Sequence, residues 1–288
     1  MPQTINTNLN SLNAQRSLGS SQMSLATSMQ RLSSGLRVNS AKDDAAGLAI
    51  AERMTTQVRG MNAAVRNAND GISMAQTAEG ALGKVADSLQ RMRELAVQSA
   101  NATNSGSDKD SLDKEFGELA KEVQRVLGGV SFNGKHVLGS EAGPMTFQVG
   151  ANTTSSDTID VSTTDLTVDA TVTAVAGTDN TGAARALIDS TTNTVAIQGV
   201  INNIDLAINT VNSQRAAMGA TQSRFDSVIA NLQVSVENQT AARSRIMDTD
   251  FAAETANLSR SQILQQAGNA MVAQANALPQ QVLKLLQG

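Results

Sequence analysis

Cysteine is absent, so no disulfide, thiolate metal site or thiol nucleophile is available to this chain. Tryptophan and tyrosine are absent as well, and five phenylalanines leave an aromatic content of only 2%. The side chains that usually dominate core burial are therefore nearly missing, and Ala, Asn, Gln, Ser and Thr fill their place. Such a chain buries apolar atoms along narrow helix seams more readily than around one compact centre. No run approaches the ~18 consecutive apolar residues of a membrane-spanning helix, so membrane insertion is not expected. The opening MPQTINTNLNSL has neither a charged n-region nor an apolar h-region, so no cleavable secretory signal is expected. A net charge of −4 is too mild to indicate nucleic acid, and no basic patch interleaves with aromatics to stack bases.

Charge is unevenly placed. Residues 1–42 carry Arg16, Arg31, Arg37 and Lys42 with no acid, whereas residues 137–184 carry Glu141, Asp157, Asp160, Asp165, Asp169 and Asp179 with no Lys or Arg. A basic N-terminal end and an acidic middle face different surroundings.

The strongest pattern is a sustained four–three spacing of apolar residues. One run reads Met54, Val58, Met61, Val65, Ala68, Ile72, Ala75, Glu79, Leu82, Ala86, Leu89, and a second reads Leu112, Phe116, Leu119, Val123, Val126. A third reads Ile197, Ile201, Ile204, Ile208, Val211, Arg215, Met218, Gln222, Phe225, Ile229, Leu232, Val236. A mean step of 3.5 predicts coiled-coil-like helices, and at 1.5 Å per residue the third alone would extend about 60 Å. The polar residues Glu79, Arg215 and Gln222 either fix register within the seam or face solvent where it turns outward.

The chain ends repeat the theme. Leu264, Met271, Leu278 and Leu285 recur at seven-residue steps, flanked by Ala267, Ala275 and Val282. Near the start, Ile5, Leu9 and Leu12 form one stripe, and Leu18, Leu25, Met29, Leu32 and Leu36 another. These weakly hydrophobic segments are marginal as isolated helices and are expected to order only against neighbours. Pro279 is expected to kink the last helix or cap its final turn. Between the helices, Phe132-Asn133-Gly134-Lys135 predicts a tight hairpin turn. Met145–Gly150 alternates like a strand, as does Asp165–Val175, within a polar 151–195 stretch read as a small β or irregular insert. The expected fold is mainly α: long coiled-coil-like helices from both chain ends forming a rod, with a small β-rich middle.

Catalysis finds no support. His136, the only histidine, reads as a solvent-facing loop residue. Gly80–Val85 lacks the spacing and the Ser or Thr of a phosphate loop and falls inside a heptad run, so it reads as helix. Asp43-Asp44 and Asp248-x-Asp250 lack the Gly and Glu of a calcium loop and read as helix caps. No catalytic, cofactor or metal residue is assigned.

At both ends the sequence resembles a known family. The segments Leu32–Ile50 (LSSGLRVNSAKDDAAGLAI), Arg66–Ser73 (RNANDGIS) and Gln90–Gln98 (QRMRELAVQ) are similar to the N-terminal signature of bacterial flagellins. Ala241–Arg245 (AARSR), Phe251–Ser259 (FAAETANLS), Gln262–Gly268 (QILQQAG), Ala273–Asn276 (AQAN) and Pro279–Leu283 (PQQVL) are similar to its C-terminal signature. The resemblance covers roughly 1–150 and 196–288 and leaves 151–195 unmatched.

The resemblance implies three parts. These are an inner terminal-helix domain of 1–45 with 245–288, a helical domain of 46–150 with 196–244 carrying the hairpin, and a short variable outer segment at 151–195. It implies a non-enzymatic, homo-oligomeric subunit of an extracellular flagellar filament that serves motility. Export would run through the flagellar type III apparatus, with an export chaperone, filament cap and hook-associated proteins as partners. Polymerisation seams would include Leu25, Leu32, Leu36, Leu264, Met271, Leu278 and Leu285. Arg91, Leu95 and Glu115 match family positions contacted by vertebrate Toll-like receptor 5. A hook–filament junction protein and a secreted adhesin-like module are the alternative readings.

Overall fold

The computed structural model describes residues 7–287, with side chains described as far as residue 277. Ile5 lies outside the described residues, and so do the side chains of Leu278, Pro279, Val282 and Leu285. The helices are α1 (Leu9–Ser34), α2 (Ala45–Ser99), α3 (Gly106–Gly129), α4 (Ala170–Ala176), α5 (Thr194–Met247) and α6 (Phe251–Gln287). Small strands lie between α3 and α4: β1 (Ser131–Phe132), β2 (Lys135–His136), β3 (Pro144–Gln148) and β4 (Thr158–Ser162). The fold is mainly helical, with long helices towards both chain ends and a few short strands in the middle. Two compact units emerge, one of Met1–Thr56 with Glu237–Gly288 and one of Gln57–Val236.

The helix starts are chemically explicit. Asp44 accepts the Gly47 amide at the head of α2, and Asp250 accepts the Ala252 and Ala253 amides at the head of α6. Ser105 and Asp108 form a reciprocal capping box on α3. Of the other two paired acids, Asp43 accepts the Asn39 and Ser40 amides and Asp248 accepts the Ser244 hydroxyl. Gly35 ends α1 at φ 71°, where its amide reaches Arg31 O at 2.9 Å, a conformation glycine adopts without a Cβ clash.

In the Gln57–Val236 unit, α2, α3 and α5 supply most of the core. Buried positions on α5 fall at Ile197, Ile204, Ala207, Val211, Met218 and Phe225, a near-strict heptad seam on the predicted phase. On α2 the seam is wider than predicted. Besides Met61, Ala68, Ala75, Leu82 and Leu89 it buries Ala64, Gly71, Ala78, Val85 and Met92, while Val65, Ile72 and Glu79 are only half-buried. Small residues let a neighbour approach: a Cβ on Gly71 would lie 2.6 Å from the Phe225 ring. That ring in turn meets Phe147 of β3 edge-on, with centroids 5.5 Å apart and planes at 80°. Glu79 and Arg215 sit half-exposed and pair across α2 and α5 at 3.7 Å.

Asn133 and Gly134, at φ 49° and 82°, form the two-residue turn joining β1 and β2, as the Asn-Gly pair predicts. Strands β3 and β4 pair antiparallel with Phe147 opposite Ile159 and Met145 opposite Val161. The predicted alternation at Asp165–Val175 does not become a strand. Asp169 caps α4 by accepting the Thr171 amide, and Val172, Val175 and Ala176 are buried together, a helical spacing. His136 lies on β2, and Glu141 reaches back to accept its backbone amide at 2.8 Å.

Candidate functional site

In the Met1–Thr56 and Glu237–Gly288 unit, α1 and α6 run antiparallel against each other. Asn8 Nδ2 donates to Ala275 O at 2.7 Å and Ser11 Oγ to Asn276 Oδ1 at 2.7 Å, while Arg31 and Glu254 pair at 3.8 Å near the opposite ends. The described residues of both terminal segments are thus helical within one chain, each the other's partner. The turns at the base join too: Leu36 bridges Asp248, Arg37 N donates to Met247 O at 2.6 Å, and Val38, Ala51 and Met247 pack in a small cluster.

Which side chains meet in the α1–α6 seam is the informative point. The seam positions on α1 are Ser11, Ala14, Leu18, Ser21, Leu25, Ser28 and Leu32, all buried or half-buried, with Gly19 and Arg31 half-buried beside them. On α6 they are Glu254, Leu258, Ser261, Gln265, Gly268, Val272 and Ala275. Both lists step by three and four, as a coiled-coil seam does, yet polar and small residues make up much of each. Gly268 lets Leu18 come within 3.1 Å of where a Cβ would stand.

Apart from Leu258 and Val272, the larger apolar side chains described on α6 lie outside this seam. Ile263 is 65% exposed, Leu264 50% and Met271 62%, and Leu9, Leu12, Met23 and Met29 on α1 are exposed as well. Ala14, Leu18, Leu264, Ala267, Gly268 and Met271 line a groove of about 600 Å³ along the helix pair. Of the seam residues expected from the sequence, Leu25 and Leu32 face inward on α1, Leu36 packs beside the Val38 cluster, and Leu264 and Met271 remain on the surface. These exposed side chains form an apolar stripe along the helix pair.

The second group of predicted residues is divided by the structure. Arg91 on α2 contacts Glu115 on α3 at 2.8 Å and Glu94 at 2.9 Å, all three side chains well exposed. The carboxylates hold the Arg91 guanidinium above its usual pKa, the Glu94 hydrogen bond first and that of Glu115 next. Leu95, one turn on from Arg91, is fully buried in the core. Sequence reasoning missed the Arg93–Asp205 bridge at 2.6 Å between α2 and α5, and the Asp113–Arg185 pair at 2.5 Å. Neither pair has a local signal, since its members are separated by 112 and 72 residues.

A helical chain whose two ends pair with each other and leave an apolar stripe uncovered is a structural, assembling protein. The comparisons specify which. The bacterial flagellin N-terminal helical region matches residues 5–142 and the bacterial flagellin C-terminal helical region residues 201–286. A flagellin of Halalkalibacterium halodurans is 44% identical over 98% of this chain and 99% of its own length. A flagellin of Xenorhabdus nematophila is 42% identical, with both chains covered in full. The fold is shared with a putative flagellar hook-associated protein from Vibrio parahaemolyticus, at a TM-score of 0.60 over 72% of this chain and 100% of that one, but only 12% identity. The chain belongs to the bacterial flagellins. It is a structural subunit of a flagellar filament built from identical copies, and the junction-protein alternative is not favoured. No helix among the described residues is long and apolar enough to cross a membrane.

Proposed function

We propose that the exposed stripe of α6 and α1, with Leu264 and Met271 at its centre, is the surface on which successive copies pack. The observation that carries this reading is the distribution of side chains in the terminal helix pair: Leu18, Leu25, Leu32 and Leu258 share the chain's own seam with polar and small residues, whereas Ile263, Leu264 and Met271 stay outside it. A heterologous contact that does not close into a ring propagates as an open helix, and each added copy removes apolar area from water. The predicted Leu278 and Leu285 extend the same heptad positions. In this reading the subunit works outside the cell, without catalysis. Family membership supports delivery through the flagellar type III apparatus, with an export chaperone before export and hook-associated and cap proteins at the two filament ends. The test is seeded growth: purified chain added to filament seeds lengthens them under the electron microscope. Seeds that stay unchanged at every chain concentration would refute the reading.

Recognition by Toll-like receptor 5 at Arg91, Leu95 and Glu115 is part of the same proposal. The paired, exposed Arg91 and Glu115 support direct contact, whereas buried Leu95 acts through packing. Arg91→Ala is expected to lower receptor signalling about tenfold, a loss of roughly 1.4 kcal/mol, with unchanged circular dichroism. Leu95→Ala is expected to reduce signalling only together with stability. Full signalling by a folded Arg91→Ala, Glu115→Ala chain in reporter cells would remove these residues from the contact.

A further inference from the structure

The stretch between β4 and α5 lies outside both matched family regions, yet it is fastened to α2 and α3 at several points. After α4 the chain turns back through Gly177 and Gly182, at φ 83° and 80°, and Ala184 at φ 56°. Left-handed backbone at a non-glycine residue carries strain, and here it directly precedes Arg185. The Arg185 guanidinium then forks onto Asp113 of α3, Nη1 to Oδ1 at 2.9 Å and Nη2 to Oδ2 at 2.5 Å. Both side chains are largely buried. Gly117, one turn along α3, makes this approach possible: a Cβ there would lie 3.0 Å from Arg185 Nε.

The helices also hold the segment's backbone. Asp113 Oδ1 accepts the Ile188 amide at 3.0 Å, Ser99 Oγ donates to Ile188 O at 2.5 Å, and Gln124 Nε2 donates to Gly177 O at 2.5 Å. Asp110 accepts the Ser190 amide at 2.9 Å. The Ile188 side chain is fully buried in the main core. Between these anchors, residues 178–181 are exposed, and the ends of the tip are drawn together by Thr178 N to Ala183 O at 3.4 Å.

We propose that residues 177–190 form a strap that closes the α2–α3 side of the core, locked by two side chains, Arg185 and Ile188, with Asp113 as the positioning residue that receives the Arg185 guanidinium and the Ile188 backbone amide. Ser99, Gln124 and Asp110 grip main-chain atoms, which every residue type possesses. The strap's sequence is therefore constrained at Arg185 and Ile188 and free at its 178–181 tip, which accepts extra residues without loosening the lock. Breaking a buried pair by removing one partner leaves the other charge uncompensated, so the strap opens as a local unit ahead of the helices.

The test is amide hydrogen exchange on the full chain. Asp113→Asn, which keeps shape and loses charge, is expected to speed exchange across 177–190 by tenfold or more while α5 amides change less than twofold. Inserting six Gly and Ser residues after Asn180 is expected to leave the Ile188 amide within twofold of its original rate. Arg185→Lys, which keeps charge and loses the fork, serves as the second variant should Asp113→Asn unfold the chain. The proposal is overturned if strap exchange is unmoved by both substitutions, if strap and helices loosen equally in both, or if the Asn180 insertion releases Ile188 as fully as Asp113→Asn does.

Discussion

The chain carrying Leu264→Gln and Met271→Gln is expected to fold as the parent does and to stop extending filament seeds. Both side chains are exposed in the single chain, so exchanging them should alter its own stability by no more than about 0.5 kcal/mol. In a filament each would be buried against a neighbour, and full burial of such a side chain is worth about 1.5–3 kcal/mol. Losing both would weaken each subunit contact by roughly 3–6 kcal/mol, where every 1.4 kcal/mol is about tenfold in affinity. The critical concentration for growth should therefore rise by about a hundredfold or more. Sedimentation of seeded mixtures over a concentration series measures it. A critical concentration within threefold of the parent's would show that growth proceeds through some other surface. The contrasting substitution is Leu25→Ala, whose parent side chain turns towards α6, and whose first effect should be on the helix pair itself.

Phe225→Ala is expected to be among the most damaging core substitutions. The ring is completely buried, sits in the hollow that Gly71 leaves on α2, and meets Phe147 edge-on. Truncating a buried Phe costs about 3–5 kcal/mol, through lost transfer energy and the cavity left behind. Gly71→Ala attacks the same contact from the other side. Its Cβ would stand 2.6 Å from the ring, and overpacking of this kind costs about 1–3 kcal/mol, against a gain in helix propensity of about 1 kcal/mol. Combined, the two changes should cost less than their sum, because the methyl enters space the ring has vacated. Urea unfolding of the three variants decides it; strict additivity would mean that Gly71 and Phe225 do not share one packing site.

These two regions also show what the sequence made legible. Apolar spacing located every long helix, because a seam of Ile197, Ile204, Val211, Met218 and Phe225 has no other economical arrangement. It misjudged faces wherever the closest packing uses small residues. On α2 the buried Gly71 and Ala78 carry little hydrophobic signal, so Ile72 drew attention instead. On α6 the heptad singled out Leu264 and Met271 as polymerisation positions but gave no sign that the helix would turn Ser261, Gln265 and Gly268 towards α1. Hydrophobicity finds surfaces that need covering and does not say whether the cover comes from the same chain. Thr and Val alternation at 165–175 suggested a strand, but an Asp two residues before a Thr offers the backbone a cap, and the local hydrogen bond prevailed at Asp169. The Asp113–Arg185 lock was invisible because nothing local in a sequence pairs residues 72 positions apart.

The acids that begin the helices and turns make the joints, rather than the shafts, responsive to acid. Hydrogen bonds from the Ser40, Ser105 and Thr191 hydroxyls, foremost among several, hold the Asp43, Asp108 and Asp189 carboxyls below their ordinary pKa. Their contribution is present above the unfolded value of about 4 and disappears as pH falls through the lower folded values. The Ala, Leu, Ile and Phe side chains buried along mid-α2 and mid-α5 carry no group that titrates. In acid the amides at these turns should exchange faster, after correction for intrinsic rates, while those in mid-α2 and mid-α5 keep their protection. The molecule would then slacken first at its corners, as a folding rule does when its rivets loosen and its blades stay straight.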